Sequence, residues 1–234
     1  MRQEAYFCTV KELDELGKNN IPRQLISHTH LIYSSPATLA FNSPGAEGFG
    51  VKRAGLAVPD SVMLIVSPGC CGRNTSVLSS MRAYQDRFYY LLMDETDIVT
   101  GRHLKKIPKA VAEICEGLKK KPSVVMICIT CVDALLGTDM ERVCHKAEEY
   151  AGVPVRPCYM YALTREGRKP PMVHVRQSVY SLLEPKKKKG NVVNLLGYFS
   201  PLTDDCELYD LLHGAGVKTI HEISRCKDYA QYQT

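Results

Sequence analysis

The chain has 234 residues, 45% of them hydrophobic and 24% charged, and carries a net charge of +5. That balance fits a folded core and excludes a disordered class, while no apolar run is long enough to span a bilayer. The mild basic excess comes largely from Lys186-Lys187-Lys188-Lys189, a run with no interleaved aromatic, which reads as a solvated linker rather than a nucleic-acid patch.

The start, Met1-Arg2-Gln3-Glu4-Ala5, lacks the apolar stretch of a signal peptide, so a cytoplasmic location is expected. Ten cysteines in such a setting argue against a disulfide framework and for reduced thiols, some of them metal ligands and most of them small core residues. Residues 11–17 read as a short helix that Asn19-Asn20-Ile21-Pro22 breaks. His28 and His30 form a His-x-His whose side chains would share a face of an extended segment, although hydrogen-bonded structure is the commoner use of such a pair. Residues 31–44 look like loop. Gly45, Gly48 and Gly50 have the wrong spacing for a dinucleotide fingerprint, and no strand precedes them.

The next segments alternate. Val62-Met63-Leu64-Ile65-Val66 marks a strand over 61–66, a helix is expected over 75–86, and Phe88-Tyr89-Tyr90-Leu91-Leu92-Met93 is a second strand. Residues 97–101 read as a turn into a helix over 104–118, with Ile107, Val111, Ile114 and Leu118 on one face. A third strand over 123–130 is followed by a helix over 139–151, ended by Gly152. Residues 153–157 read as a short edge strand, 165–171 as a basic loop and 173–183 as a closing helix.

Strand–helix alternation of this kind specifies an α/β fold: a parallel Rossmann-like sheet with helices on both faces. The composition breaks at Glu184-Pro185, which gives a first domain over 1–185, a basic linker over 186–190 and the start of a second Rossmann-like domain over 191–234. In that second part a strand is expected over 191–197, a helix over 205–214 and a strand over 217–223. Two strands cannot build a sheet covered on both faces, so the partial unit either packs on the first domain or belongs to something longer, and the second is expected.

Three thiols stand out. The first strand runs into Ser67-Pro68-Gly69-Cys70-Cys71-Gly72, and the third ends in Cys128-Ile129-Thr130-Cys131. Ligands of open α/β sheets collect at the carboxyl ends of strands, so Cys70, Cys71 and Cys131 are placed to meet around one inorganic centre. The bland alternative is a structural turn with inert thiols. Cys128 lies inside the apolar strand and should pack in the core, which splits the Cys-x-x-Cys. A thioredoxin motif would open a helix after the first strand, and a four-cysteine zinc site would need a second close pair. Iron–sulfur clusters accept thiolates from distant segments and fit better.

Taken in order, Ser43-Pro44-Gly45-Ala46, Ser67-Pro68-Gly69-Cys70, Asp97-Ile98-Val99-Thr100-Gly101 and the stretch from Cys131 through Gly137-Thr138-Asp139 to Val143 resemble segments of the nitrogenase component 1 family. The stretch from Val193 to Gly216 is similar to the start of that family's second domain. Its relatives include cofactor-assembly scaffolds, protochlorophyllide reductases and the nickel-tetrapyrrole reductase. The resemblance implies a nitrogenase-like oxidoreductase subunit whose first domains pair around an iron–sulfur cluster, expected as [4Fe-4S]. It also implies that an ATP-dependent iron–sulfur reductase protein feeds electrons to the cluster, which passes them to a substrate or cofactor site.

Carried over, Cys70 and Cys131 match two cluster ligands. The family's first cysteine has no counterpart, because the matching region here is Phe41-Asn42-Ser43. Cys71 could substitute, or two copies could share a cluster, so a homodimer or a heterodimer with a similar subunit is expected, with neither nucleic acid nor membrane as partner. The alternative is a non-redox scaffold or metal-binding module of the same family, holding zinc or no metal.

Overall fold

The computed structural model describes residues 9–17, 19–20, 22, 52, 54–69, 79–80, 82, 84–160, 171–184, 191–196, 199 and 201–233. Four strands, β1 (Val62–Ser67), β2 (Phe88–Leu92), β3 (Val125–Ile129) and β4 (Val155–Tyr159), form one sheet in the order β2-β1-β3-β4. Every pairing is parallel. The chain steps from β1 outward to β2, then crosses back to lay β3 on the other side of β1. The order therefore reverses between β1 and β3, and in open sheets that reversal opens a crevice at the carboxyl ends.

The apolar runs explain the layering. All six residues of β1 and all five of β3 are buried, as expected of strands covered on both faces. On one face Val62, Leu64, Val66, Val125, Ile127 and Ile129 pack with Ile107 and Val111 of α3 (His103–Gly117) and with Met140, Cys144 and Ala147 of α5 (Met140–Ala151). On the other face Met63, Ile65, Met126, Cys128 and Cys158 meet residues 54–58 together with Val175 and Val179 of α6 (Pro171–Tyr180). Gly55 allows that close approach: a Cβ there would lie 2.8 Å from Met63 Cε and 3.0 Å from Cys158 Sγ.

The expected elements are met with end shifts of a few residues, including α1 (Val10–Leu16), which a Thr9–Glu12 capping box opens. Three readings are corrected. Residues 97–101 are not a turn but most of α2 (Glu95–Thr100), capped by Asp94 and closed by Gly101 at φ 64°. Cys131, read only as lying just past the third strand, opens a helix not expected there, α4 (Cys131–Leu136), which Gly137 follows at φ 65°. The fourth strand is displaced two residues beyond the expected 153–157. His28, His30, the glycines at 45–50 and half of the expected helix over 75–86 lie outside the described residues; of the other half Ser79 is helical and 80, 82 and 84–86 are turn.

Toward the carboxyl terminus β5 (Val192–Leu195) pairs in parallel with β6 (Thr219–Glu222), joined through α7 (Glu207–Gly214), and a last turn of helix, α8, spans Tyr229–Tyr232. Ile223 and Tyr232 join the core that holds Val175 and Val179, and the Tyr232 hydroxyl donates to the Val179 carbonyl at 2.7 Å. No described helix is long and apolar enough to cross a membrane.

Candidate functional site

The candidate site is the crevice above β1 and β3. The register pairs Val66 with Ile129, so Ser67 and Thr130 are the next residues on two hydrogen-bonded neighbours. Beyond Ser67, Pro68 and Gly69 leave the sheet, and a Cβ built on Gly69 would meet nothing within 4 Å, so the space beside that backbone is open. Cys70 and Cys71, which follow in sequence, lie outside the described residues. Beyond Thr130, Cys131 occupies the first position of α4 and is partly exposed.

Buried side chains anchor the helix that carries Cys131. Asp133, two residues on, is fully covered, and its Oδ1 lies 3.0 Å from Nε2 of buried His103, at the start of α3. The other ring nitrogen, Nδ1, faces the Asp97 carbonyl at 3.0 Å; a carbonyl only accepts, so Nδ1 carries a proton. Thr138 adds a donation to Asp133 Oδ1 at 3.2 Å. The Asp97 carboxylate accepts from Lys106 Nζ at 2.6 Å and Arg102 Nε at 3.0 Å. Those cationic donors, Lys106 foremost, hold its pKa down at about 2 against the opposing effect of burial. The chain Asp97–His103–Asp133 thus ties α2, α3 and α4 together beside Cys131.

Of the other described thiols, Cys128, Cys144 and Cys158 are buried in the packed core. Cys128 is buried in the core, as its place in the strand implies, and its register partner is Cys158. Burial pushes the Cys144 and Cys158 thiols well up, which keeps them protonated and poor as ligands. Burial also raises Cys115 on α3. Of the described cysteines in the four-stranded domain, Cys131 alone stands at the carboxyl end of the sheet. Among the described residues no group of three or more His, Cys, Asp or Glu could hold a metal ion, so the described donors are incomplete as a set.

Polar atoms around this crevice lack partners. Five buried side-chain polar atoms have no hydrogen bond among the described residues, and three of them, Ser67 Oγ, Thr130 Oγ1 and Asp133 Oδ2, belong to this end of β1 and β3. Buried polar groups are normally satisfied, so these three atoms are left with hydrogen-bonding capacity for a further partner. A soft thiol, two hydroxyl donors and an open glycine backbone fit a thiolate-bound iron–sulfur group in kind. Sequence reasoning named Cys131 but missed Ser67, Thr130, His103 and Asp133. The signal for the hydroxyls was present: each is the first hydroxyl residue after an uninterrupted apolar strand.

Comparison with known proteins gives the relatives of this fold. A family model described as nitrogenase component 1 type oxidoreductase matches residues 47–232. The chain is 28% identical over 176 residues to the nitrogenase iron-molybdenum cofactor biosynthesis protein NifE of Rhizobium meliloti (strain 1021), covering 72% of this chain and 37% of that protein. It is 26% identical over 212 residues to NifE of Klebsiella pneumoniae, covering 82% of this chain and 46% of that one. Among solved structures, nitrogenase Cp1 at pH 5 superposes with a TM-score of 0.58 at 20% identity, over 78% of this chain and 40% of that chain, a likeness of fold. The chain therefore spans less than half the length of these relatives.

Proposed function

The chain belongs to the nitrogenase component 1 type oxidoreductase family, and from that premise we propose that it is an iron–sulfur protein that holds a [4Fe-4S] cluster through Cys70 and Cys131, with Cys71 as a further thiol. An ATP-dependent iron–sulfur reductase protein supplies the electrons, and they pass on to a substrate or cofactor site. The observation that carries the reading is the adjacency of β1 and β3, each followed within three residues by a thiol. Neighbouring strands lie about 4.8 Å apart, and three extended residues reach about 10 Å, so both thiols have the reach to meet one centre. The cluster supplies one-electron storage. The chain's own residues bind it, orient Cys131 through the buried His103–Asp133 pair, and shield one side with the sheet.

Two or three thiols on one subunit leave a cube short of Cys₄ ligation, and a second subunit completes the set. The rim of the crevice supports a partner there. Leu92 at the end of β2, Val99 on α2, and Leu135 and Leu136 on α4 are exposed at 59%, 85%, 69% and 50%. Large exposed apolar residues mark interaction surfaces, and these four lie at or just beyond the carboxyl ends of β2 and β3. The reading is a dimer of identical chains, or of this chain with a similar subunit.

A second reading has its own support, since the curated relatives are named for iron–molybdenum cofactor biosynthesis. There the same thiols hold a cluster as cargo rather than cycle its charge. Anaerobic reconstitution with iron and sulfide, followed by counting of bound iron, sulfide and zinc, tests what the two readings share. Wild type and Cys115→Ser are expected to be brown and loaded, Cys70→Ser and Cys131→Ser to lose iron. A colourless wild type, a zinc-only wild type, or full iron in both cysteine variants contradicts the cluster. Retention of the cluster through reduction by an ATP-dependent reductase favours the redox role; stoichiometric transfer of iron and sulfide to an acceptor protein favours the scaffold.

A further inference from the structure

We infer that the hydroxyls of Ser67 and Thr130 are hydrogen-bond donors to the sulfur atoms of the bound cluster, and that they set its reduction potential rather than its occupancy. The inference rests on the cluster reading above and goes beyond it to two residues that ligate nothing.

Four observations carry it. Ser67 and Thr130 follow the paired residues Val66 and Ile129, so they sit side by side where the two central strands end. Ser67 ends a β1 that is otherwise apolar and Thr130 directly follows an apolar β3, so on both strands the change to a hydroxyl comes at the carboxyl end. Alternation along the strands puts Ser67 in line with Met63 and Ile65, and Thr130 in line with Met126 and Cys128, which all pack in one core, so the two hydroxyls share a face. Finally, Ser67 is 0% and Thr130 1% exposed, and neither Oγ finds a partner among the described residues.

A buried hydroxyl pair without partners in an otherwise apolar sheet is a cost that valine and alanine would avoid. The partner is therefore something that arrives. The thiol-bearing segments begin immediately after both residues, so the arriving acceptor is sulfur, either cluster sulfide or ligating thiolate. A hydroxyl has one proton to give and rotates freely to give it. Donation to sulfur stabilises the more negatively charged reduced cluster, and hydrogen bonds to the sulfurs are among the levers that fix cluster potentials. Ser67 and Thr130 thus hold the potential up without touching iron.

The test compares Ser67→Ala, Thr130→Val and Thr130→Ser with wild type, all reconstituted anaerobically. Bound iron is counted, and midpoint potentials are read by EPR-monitored titration. The expected result is full iron in all four, a lower potential in Ser67→Ala and Thr130→Val, and a wild-type potential in Thr130→Ser. Unchanged potentials in both deletion variants overturn the inference and leave the cluster reading standing. Loss of iron from Thr130→Val with Thr130→Ser loaded also overturns it, since Thr130 would then be a ligand. A wild type that takes up no iron takes down the cluster reading and this inference together. Should the variants fail to fold, wild type itself decides: exchangeable deuteron couplings to the reduced cluster after transfer to heavy water support the donors, and their absence contradicts them.

Discussion

Asp133→Ala tests the anchor beneath Cys131. His103 and Asp133 are 1% and 0% exposed in their side chains, and their contact is 3.0 Å. Removing the carboxylate leaves His103 Nε2 buried with nothing opposite it and takes the acceptor from the Thr138 hydroxyl. Breaking a buried pair by deleting one partner costs about 3–5 kcal/mol, well above the ~1 kcal/mol of an ordinary hydrogen bond. For a domain of this size each kcal/mol moves the melting temperature by about 2–4 °C, so a fall of roughly 6–20 °C is expected. Asp133→Asn keeps an acceptor oxygen opposite Nε2 and should lose only about 1 kcal/mol. His103→Ala with Asp133→Ala should cost less than the sum of the two singles, because they remove one interaction. Anaerobic urea unfolding followed by circular dichroism reads all four. An Asp133→Ala protein within about 1 kcal/mol of wild type would refute the claim that this pair fastens α4.

Three further outcomes follow from the same geometry. Asp97, held at about 2 from an ordinary 3.8 chiefly by Lys106, contributes stability that is complete above the higher value and is lost as pH falls toward the lower. Urea midpoints should therefore drop across that window in wild type, and Lys106→Met should flatten the drop. Gly55→Ala should cost about 1–3 kcal/mol by thermal melting, because its Cβ would press on Met63 and Cys158 in a packed core; an unchanged melting temperature would mean that this face is looser than described. Leu135→Glu with Leu136→Glu should shift a dimer toward monomer in sedimentation while leaving the circular dichroism spectrum intact, since both side chains are exposed. A wild-type dimer fraction would move the interface elsewhere.

The architecture was legible in the sequence because buried parallel strands announce themselves as continuous apolar runs. Their short length and β-branched content favour strand over buried helix for Val62 to Val66 and Val125 to Ile129. The 3.6-residue stripe Ile107–Val111–Ile114–Leu118 gave α3, and the Asp139 and Gly152 caps bounded α5 almost to the residue. The two short helices were lost for the converse reason. Residues 95–100 and 131–136 are six residues each, too short for periodicity to show, and are defined by an Asp94 cap and by positive-φ glycines rather than by an apolar stripe.

The place of Cys131 was legible because it stands just past the end of an apolar strand, where open α/β sheets collect ligands. His103 and Asp133 were not, since they are 30 residues apart in sequence and single residues of their kinds carry no pattern. The order of strands decides which residues meet, and neither composition nor spacing states that order. Only the crossover that brings β3 beside β1 places the Ser67 and Thr130 ends together.

The account stands on a thiolate-bound iron–sulfur cluster between the ends of β1 and β3, and iron K-edge X-ray absorption of the anaerobically reconstituted chain, with Cys131→Ser beside it, tests that most directly. The account predicts an all-sulfur first shell with iron–iron scattering behind it in wild type, and loss of both signals in Cys131→Ser. Iron bound through oxygen or nitrogen alone, no iron–iron scattering, or an unchanged spectrum in Cys131→Ser would contradict it.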